Sequence, residues 1–91
     1  MTRQDALAEI VAERNRQERL KASGKFAHSC ADNALSHTAC LPVLAEEFGE
    51  VARAICEWDT LNLRDELIQT AAVCLAWLEG LEEKTFQIVS V

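Results

Sequence analysis

From Leu67 to Leu78 the chain is apolar almost without a break, LIQTAAVCLAWL, interrupted by Gln69 and Thr70. A helix that is apolar on nearly every side needs neighbours on every side, so this stretch predicts a central, buried helix over about 61–81. Asn62 is its expected cap, with Asp65 and Glu66 in the first turns. The preceding stretch, LPVLAEEFGEVARAICEW, predicts a second helix from near Leu41 to near Trp58, with Pro42 in its first turn. Leu41, Leu44, Phe48, Val51, Ala52 and Ile55 form its expected core stripe. A second row, Val43, Glu47, Glu50 and Ala54, sets two carboxylates among apolar neighbours, and leaves Glu46, Arg53 and Glu57 the most exposed side. Gly49 lowers helix propensity by about 1 kcal/mol, and its place there is expected to admit a neighbouring backbone.

Another helix is expected over about 2–22. Thr2 can cap it, with Asp5 three residues on in a loose capping box, and Gly24 is a stop signal. Ala6, Leu7, Ile10 and Val11 make its apolar stripe. At the same spacing the stripe continues into Arg14, Gln17, Glu18 and Lys21, so it turns polar without changing face. These groups are read as lining a site at the edge of the core; the plain alternative is a helix end projecting into solvent. Residues 24–40 form a connection with at most a short helical turn. No strand-like alternation precedes the last six residues, so the chain reads as one all-α domain over 1–91. The tail, Lys84 to Val91, is expected either to run along a partner subunit or to stay loose.

Charge narrows the partners. Fifteen acidic residues against nine basic ones give a formal charge of −6, which argues against a general nucleic-acid or anionic-membrane binder. It suits the binding of cations, or of a polyphosphate carried with its metal. The longest apolar run, Thr70 to Leu78, is well short of the roughly 20 residues that span a bilayer. With no signal-peptide pattern at the start, the four cysteines are expected to be reduced thiols in the cytoplasm, with Cys56 and Cys74 as small core residues. His28, Cys30, His37 and Cys40 suggest zinc by composition, but their spacing matches no common zinc pattern. A helix as apolar as that over 61–81 is more than 91 residues cover comfortably, which points to an oligomer core.

The acidic residues carry the chemistry. Carboxylates three apart on a helix stand on one face, about 5–6 Å from each other. Glu47 and Glu50 form such a pair, and Glu66 opens the next helix with Gln69 one turn on. Two packed helices of this kind can aim several oxygens at one point, as hard divalent cations require. A solvated pair of surface glutamates is the plain alternative.

The stretch from Val43 to Leu81 resembles the MazG-like all-α nucleoside triphosphate pyrophosphohydrolases, which carry E-x-x-E on one helix and E-x-x-D on the next. Glu47-Phe48-Gly49-Glu50, preceded by Glu46, matches the first half. Glu66-Leu67-Ile68-Gln69 matches the second except at its last position, where an amide replaces a carboxylate. Glu13-Arg14-Asn15-Arg16-Gln17, followed by Lys21 and Gly24, is similar to the first helix of some small relatives. The resemblance implies a four-helix-bundle-like core completed by homo-oligomerisation, as a homodimer or homotetramer. It also implies hydrolysis of a nucleoside triphosphate between the α and β phosphates, with Mg²⁺, or Mn²⁺, held by Glu47, Glu50, Glu66 and Gln69. Arg14, Gln17 and Lys21 are the expected substrate contacts. Gln69 brings no charge, which leaves open a non-catalytic nucleotide-binding relative; a structural helical oligomerisation module is the third reading.

Overall fold

The structure, a computed structural model, describes residues 1–26 and 29–86, and Glu83 by its backbone alone. Three helices carry it: α1 (Arg3–Ala22), α2 (His37–Cys56) and α3 (Thr60–Glu79), followed by a short 3₁₀ turn at Leu81–Glu83. The described part is thus all-α, as the periodicity predicts.

Local chemistry sets the helix ends. In α1 the Asp5 amide donates to Thr2 Oγ1 at 3.1 Å and the Thr2 amide donates to Asp5 Oδ2 at 3.3 Å, a reciprocal capping box. Its other end is closed by Lys25 N–H donating to the Leu20 carbonyl at 2.9 Å, with Gly24 at φ 86° making the left-handed turn. Two boundaries differ from the sequence expectation. Helix α2 begins at His37, before Leu41, because Ser36 Oγ accepts from the Ala39 amide at 3.1 Å. The carbonyls of Thr85 and Phe86 also receive the His37 and Thr38 amides, at 2.7 and 3.2 Å. Pro42 therefore lies inside the helix, beyond its first turn. Helix α3 is capped by Asp59, whose Oδ1 accepts from the Asn62 amide at 3.1 Å, so Asn62 is inside the helix and not its cap.

The helices are ordered by their contacts. Helices α2 and α3 are joined by a tight turn in which Trp58 takes φ 56°. The start of α2 meets the end of α3, where Trp77 Nε1 donates to His37 Nδ1 at 2.8 Å, so the two run antiparallel. Helix α1 runs in the sense of α3: Glu9 pairs with Arg64 near one end and Arg14 with Glu79 at the other. Helix α3 is central, packed against both others. The connection folds onto its last turn at Ala31, where a Cβ at Gly80 would stand 2.6 Å from the carbonyl oxygen. Lys84, nearly buried, ties the same connection down by donating to the carbonyls of Asp32 and Leu35. The described part of the tail, Lys84 to Phe86, thus folds back on its own chain, and residues 87–91 lie outside the described part.

The core is small: Cys30, Cys40, Val73 and Ala76, with Leu35, Leu44 and Trp77 packed around them. This corrects the expected stripe of α2. Leu41, Phe48 and Ile55 are 58%, 70% and 59% exposed, while Cys40 and Ala54 are buried and Glu47 and Glu50 are half-buried. The inward face of α2 draws on both rows, with Leu44 and Val51 from the apolar one and Glu47, Glu50 and Ala54 from the other, while Leu41, Val43, Phe48 and Ile55 face outward. Helix α3 is likewise not covered all round, since Leu67, Leu78 and Cys74 are exposed, as is Cys56 on α2. Nothing stands within 4 Å of a Cβ built on Gly49, so within the described chain no backbone approaches there. Among the described residues no helix is long and apolar enough to cross a membrane.

Candidate functional site

One face of α1, the connection, α2 and α3 enclose a cleft of about 560 Å³. Helix α1 contributes Glu13, Arg16 and Gln17, one turn apart and so on one side of the helix. The connection adds Lys25, Phe26, Ser29 and Cys30. Helix α2 adds Val43, Glu46 and Glu47, again one turn apart, and α3 adds Gln69, Val73 and Ala76. The floor is apolar. The charged groups divide by element: Arg16 and Lys25, with Glu13 paired to Arg16, on the side of α1 and the connection, and Glu46 and Glu47 on α2.

The carboxylates interact directly. Burial first, then the charges of Glu66 and Glu46, contact with the Glu66 carboxyl and the charge of Glu50 hold the Glu47 carboxyl above its ordinary range. One oxygen on each of Glu47 and Glu66, the Oε2, is buried with no hydrogen-bond partner among the protein groups. Buried acceptors without donors are costly and normally mark a place that something else fills. Glu50 is half-buried beside them, with one oxygen 3.6 Å from Arg53 Nη1.

The cleft takes some of the expected site residues and leaves others out. Glu47, Gln69 and Gln17 line it. Glu50 and Glu66 are not among its lining residues; both act on Glu47 through charge, and Glu66 also through its carboxyl contact. Among the described residues no three His, Cys, Asp or Glu side chains converge tightly enough to enclose a metal ion. The apposition of Glu47 and Glu66 is as far as the side chains go. Hard carboxylate oxygens with unpaired lone pairs are nonetheless the donor chemistry that Mg²⁺ requires.

Arg14 and Lys21 are not on the cleft wall. Arg14 is the one buried residue of α1. Its Nε donates to Glu79 at 2.7 Å, and its Nη2 lies 2.6 Å from Glu18. These carboxylates raise the guanidinium pKa against the lowering effect of burial, which is the largest single influence. Lys21 pairs with Asp32 of the connection. The stripe of α1 does continue inward into Arg14, but it meets α3 there. The cationic wall belongs instead to Arg16, held by Glu13 at 2.7 and 2.8 Å, and to Lys25. The signal for Arg16 was its three-residue spacing from Glu13, on the flank of the stripe. For Lys25 and Phe26 no periodicity was available, because they lie outside a helix. Of the His/Cys set, Cys30 and Cys40 are buried and His37 bonds Trp77; His28 lies outside the described residues.

An all-α chain with paired carboxylates on consecutive antiparallel helices defines a class of helical acidic-site proteins. A family model described as the MazG nucleotide pyrophosphohydrolase domain matches residues 35–91, more than half of the chain. The chain belongs to that family, as the acidic motif suggested. The match begins just before α2, so it includes both acidic helices and excludes α1. No curated protein and no solved structure matches the chain.

Proposed function

We propose that this protein hydrolyses nucleoside triphosphates to monophosphate and pyrophosphate with the help of a divalent cation. The observation that carries the reading is the pair of buried, unpartnered oxygens on Glu47 and Glu66, in a chain of a nucleotide pyrophosphohydrolase family. Glu47 and Glu66, with Glu50 moving in from beside them, would hold Mg²⁺ or Mn²⁺, and Gln69 would contribute an amide oxygen. The cation, when bound, polarises phosphoryl oxygens and offsets the repulsion between a triphosphate and an acidic wall. Arg16 and Lys25 would neutralise phosphate charge on the other wall, and Gln17 would donate to the nucleotide. Phe26, half-exposed at the rim, offers a flat apolar surface to a base. In this reading Arg14 and Lys21 hold α1 and the connection in place and touch substrate only through the residues they position.

We read the outward stripe of α2, Leu41, Phe48 and Ile55 at seven-residue spacing, as covered by a second copy in a homodimer or a tetramer built from it. The four free cysteines fit a reducing compartment such as the cytoplasm. A second reading is favoured by one residue: Gln69 at the cleft wall supplies one negative charge fewer than a carboxylate, which suits a non-catalytic nucleotide binder. Pyrophosphate release should be screened over the common ribo- and deoxynucleoside triphosphates with Mg²⁺ and Mn²⁺, together with thermal stability. Metal-dependent release that is lost in Glu50→Gln supports the hydrolase. Nucleotide-dependent stabilisation without release supports the binder. Neither effect would leave the structural module.

A further inference from the structure

Glu13, Arg16 and Gln17 stand one turn apart on α1 and line the cleft together. The Glu13 carboxylate joins the other two. Its Oε1 accepts from Arg16 Nε at 2.7 Å, and its Oε2 accepts from Arg16 Nη2 at 2.8 Å and from Gln17 Nε2 at 3.3 Å. Its side chain is 13% exposed, against 49% for that of Arg16. An exposed ion pair along a helix is often incidental, but a carboxylate this buried, holding three donors, is fixed in place. We propose that Glu13 is a positioning residue, which aims the free edge of the Arg16 guanidinium and the Gln17 amide at the phosphates of a polyphosphate ligand. This role rests on the nucleotide reading of the cleft and adds to it the residue that orders the α1 side.

The donors fit this role. A guanidinium holds its N–H groups in one plane as a rigid fork. Glu13 takes the Nε–Nη2 edge. The Nη1–Nη2 edge is left, and two parallel N–H groups there match two oxygens of one phosphate group. Gln17 is oriented by the same carboxylate. A carboxylate only accepts, so the amide turns its NH₂ toward Glu13, which leaves its second N–H and its carbonyl oxygen for a ligand. Glu13 also cancels the formal charge of Arg16. The net positive charge on this side of the cleft is therefore that of Lys25, and Arg16 serves by direction more than by charge. Without Glu13, Arg16 and Gln17 are long side chains free to change rotamer, and each must be ordered when the ligand binds. Ordering one such side chain costs about 2- to 10-fold in affinity.

Charge and positioning predict opposite signs for one substitution. Glu13→Gln removes a negative charge from beside a polyanion, so a wall that acted by charge alone would bind it more tightly. A wall that acts by positioning binds it more weakly, because one amide oxygen cannot replace two carboxylate oxygens along the Nε–Nη2 edge.

The test titrates inorganic tripolyphosphate, with Mg²⁺ present, into the full chain by calorimetry. Wild type, Glu13→Gln, Arg16→Lys and the double variant are compared, with circular dichroism to check the helical fold of each. Tripolyphosphate carries no base, so only phosphate contacts report. Glu13→Gln should raise Kd by about 3- to 10-fold. Arg16→Lys keeps the charge and loses the fork, and should raise Kd by a similar factor. In the Arg16→Lys background the effect of Glu13→Gln should fall to within about 2-fold, because the edge it ordered is gone. A Kd unchanged or lowered by Glu13→Gln overturns the proposal. So does an equal weakening in both backgrounds, which marks a merely structural role, and so does a wild type that does not bind tripolyphosphate. Pyrophosphate release from nucleoside triphosphates is scored separately. Coupled loss of binding in a protein without release upholds the proposal and removes the hydrolase. Release by the wild type, with binding unchanged in Glu13→Gln, keeps the hydrolase and overturns the proposal.

Discussion

Replacing Glu47 by Gln removes one negative charge from the acidic site while keeping the side chain's shape. Glu66, Glu46 and Glu50 all act on Glu47 as like charges. Carboxylates about 5 Å apart repel by about 1–3 kcal/mol at effective dielectric constants of about 80 to 20. Glu47 is only half-buried and reaches solvent through the cleft, so the lower end applies. Without metal at pH 8, Glu47→Gln should therefore be more stable than wild type by about 1 kcal/mol. The pH dependence follows from the raised pKa. Between Glu47's folded value and its ordinary 4.5 the folded state binds more protons than the unfolded chain, so wild type gains stability as pH falls through that window. The advantage of the variant should shrink over the same window and vanish well below the ordinary 4.5, where Glu47 is neutral in both states. Mg²⁺ should reverse the order. A ligand of the native state at about 100 times its Kd stabilises by about 2.7 kcal/mol, and the variant should lose much of that gain. Urea unfolding at pH 8, 6, 4.5 and 3, with and without Mg²⁺, measures all of these. An apo variant no more stable than wild type at pH 8, or a difference that does not change with pH, would refute the electrostatic argument.

Four further outcomes are expected. Arg14→Met breaks a buried guanidinium away from Glu79 and Glu18, and should cost about 2–4 kcal/mol in chemical denaturation; nucleotide affinity measured well below the melting point should change little. Gly80→Ala forces a Cβ against the Ala31 carbonyl oxygen at 2.6 Å and should destabilise by about 1–3 kcal/mol. Gly49→Ala, with open space around it, should raise thermal stability by about 0.5–1 kcal/mol; a loss there would mean that another chain fills that space. Phe48→Glu should convert the expected homodimer into a species of one 10.1 kDa chain in sedimentation, and a wild type already of that mass would remove the subunit interface.

The sequence by itself determined the three long helices and much of their chemistry. Caps and stop signals act within a turn, so Thr2, Asp5 and Gly24 bound α1 where a local reading puts them. Glu47 and Glu50 on one helix and Glu66 on the next follow from spacing alone, as does the family resemblance they carry. The start of α2 was not legible, because the Ser36 cap is reinforced by carbonyls of Thr85 and Phe86, nearly fifty residues away. Nor was the inward face of α2. Leu41, Phe48 and Ile55 make one plausible stripe, and Val43, Glu47 and Ala54 another, and periodicity ranks them by hydrophobicity. Tertiary packing took from both, burying Ala54 and half-burying Leu44, Glu47, Glu50 and Val51, because α3 packs on that side, and left Val43 exposed with Leu41, Phe48 and Ile55. Arg14 shows the same division: its place on the inner face was readable from the stripe of α1. That it meets Glu79 instead of the cleft depends on the parallel run of α1 and α3, which no local pattern encodes. The cationic wall of Arg16 and Lys25 exists only once the connection folds beside α1, since charge complementarity between distant segments becomes physical when packing brings them together.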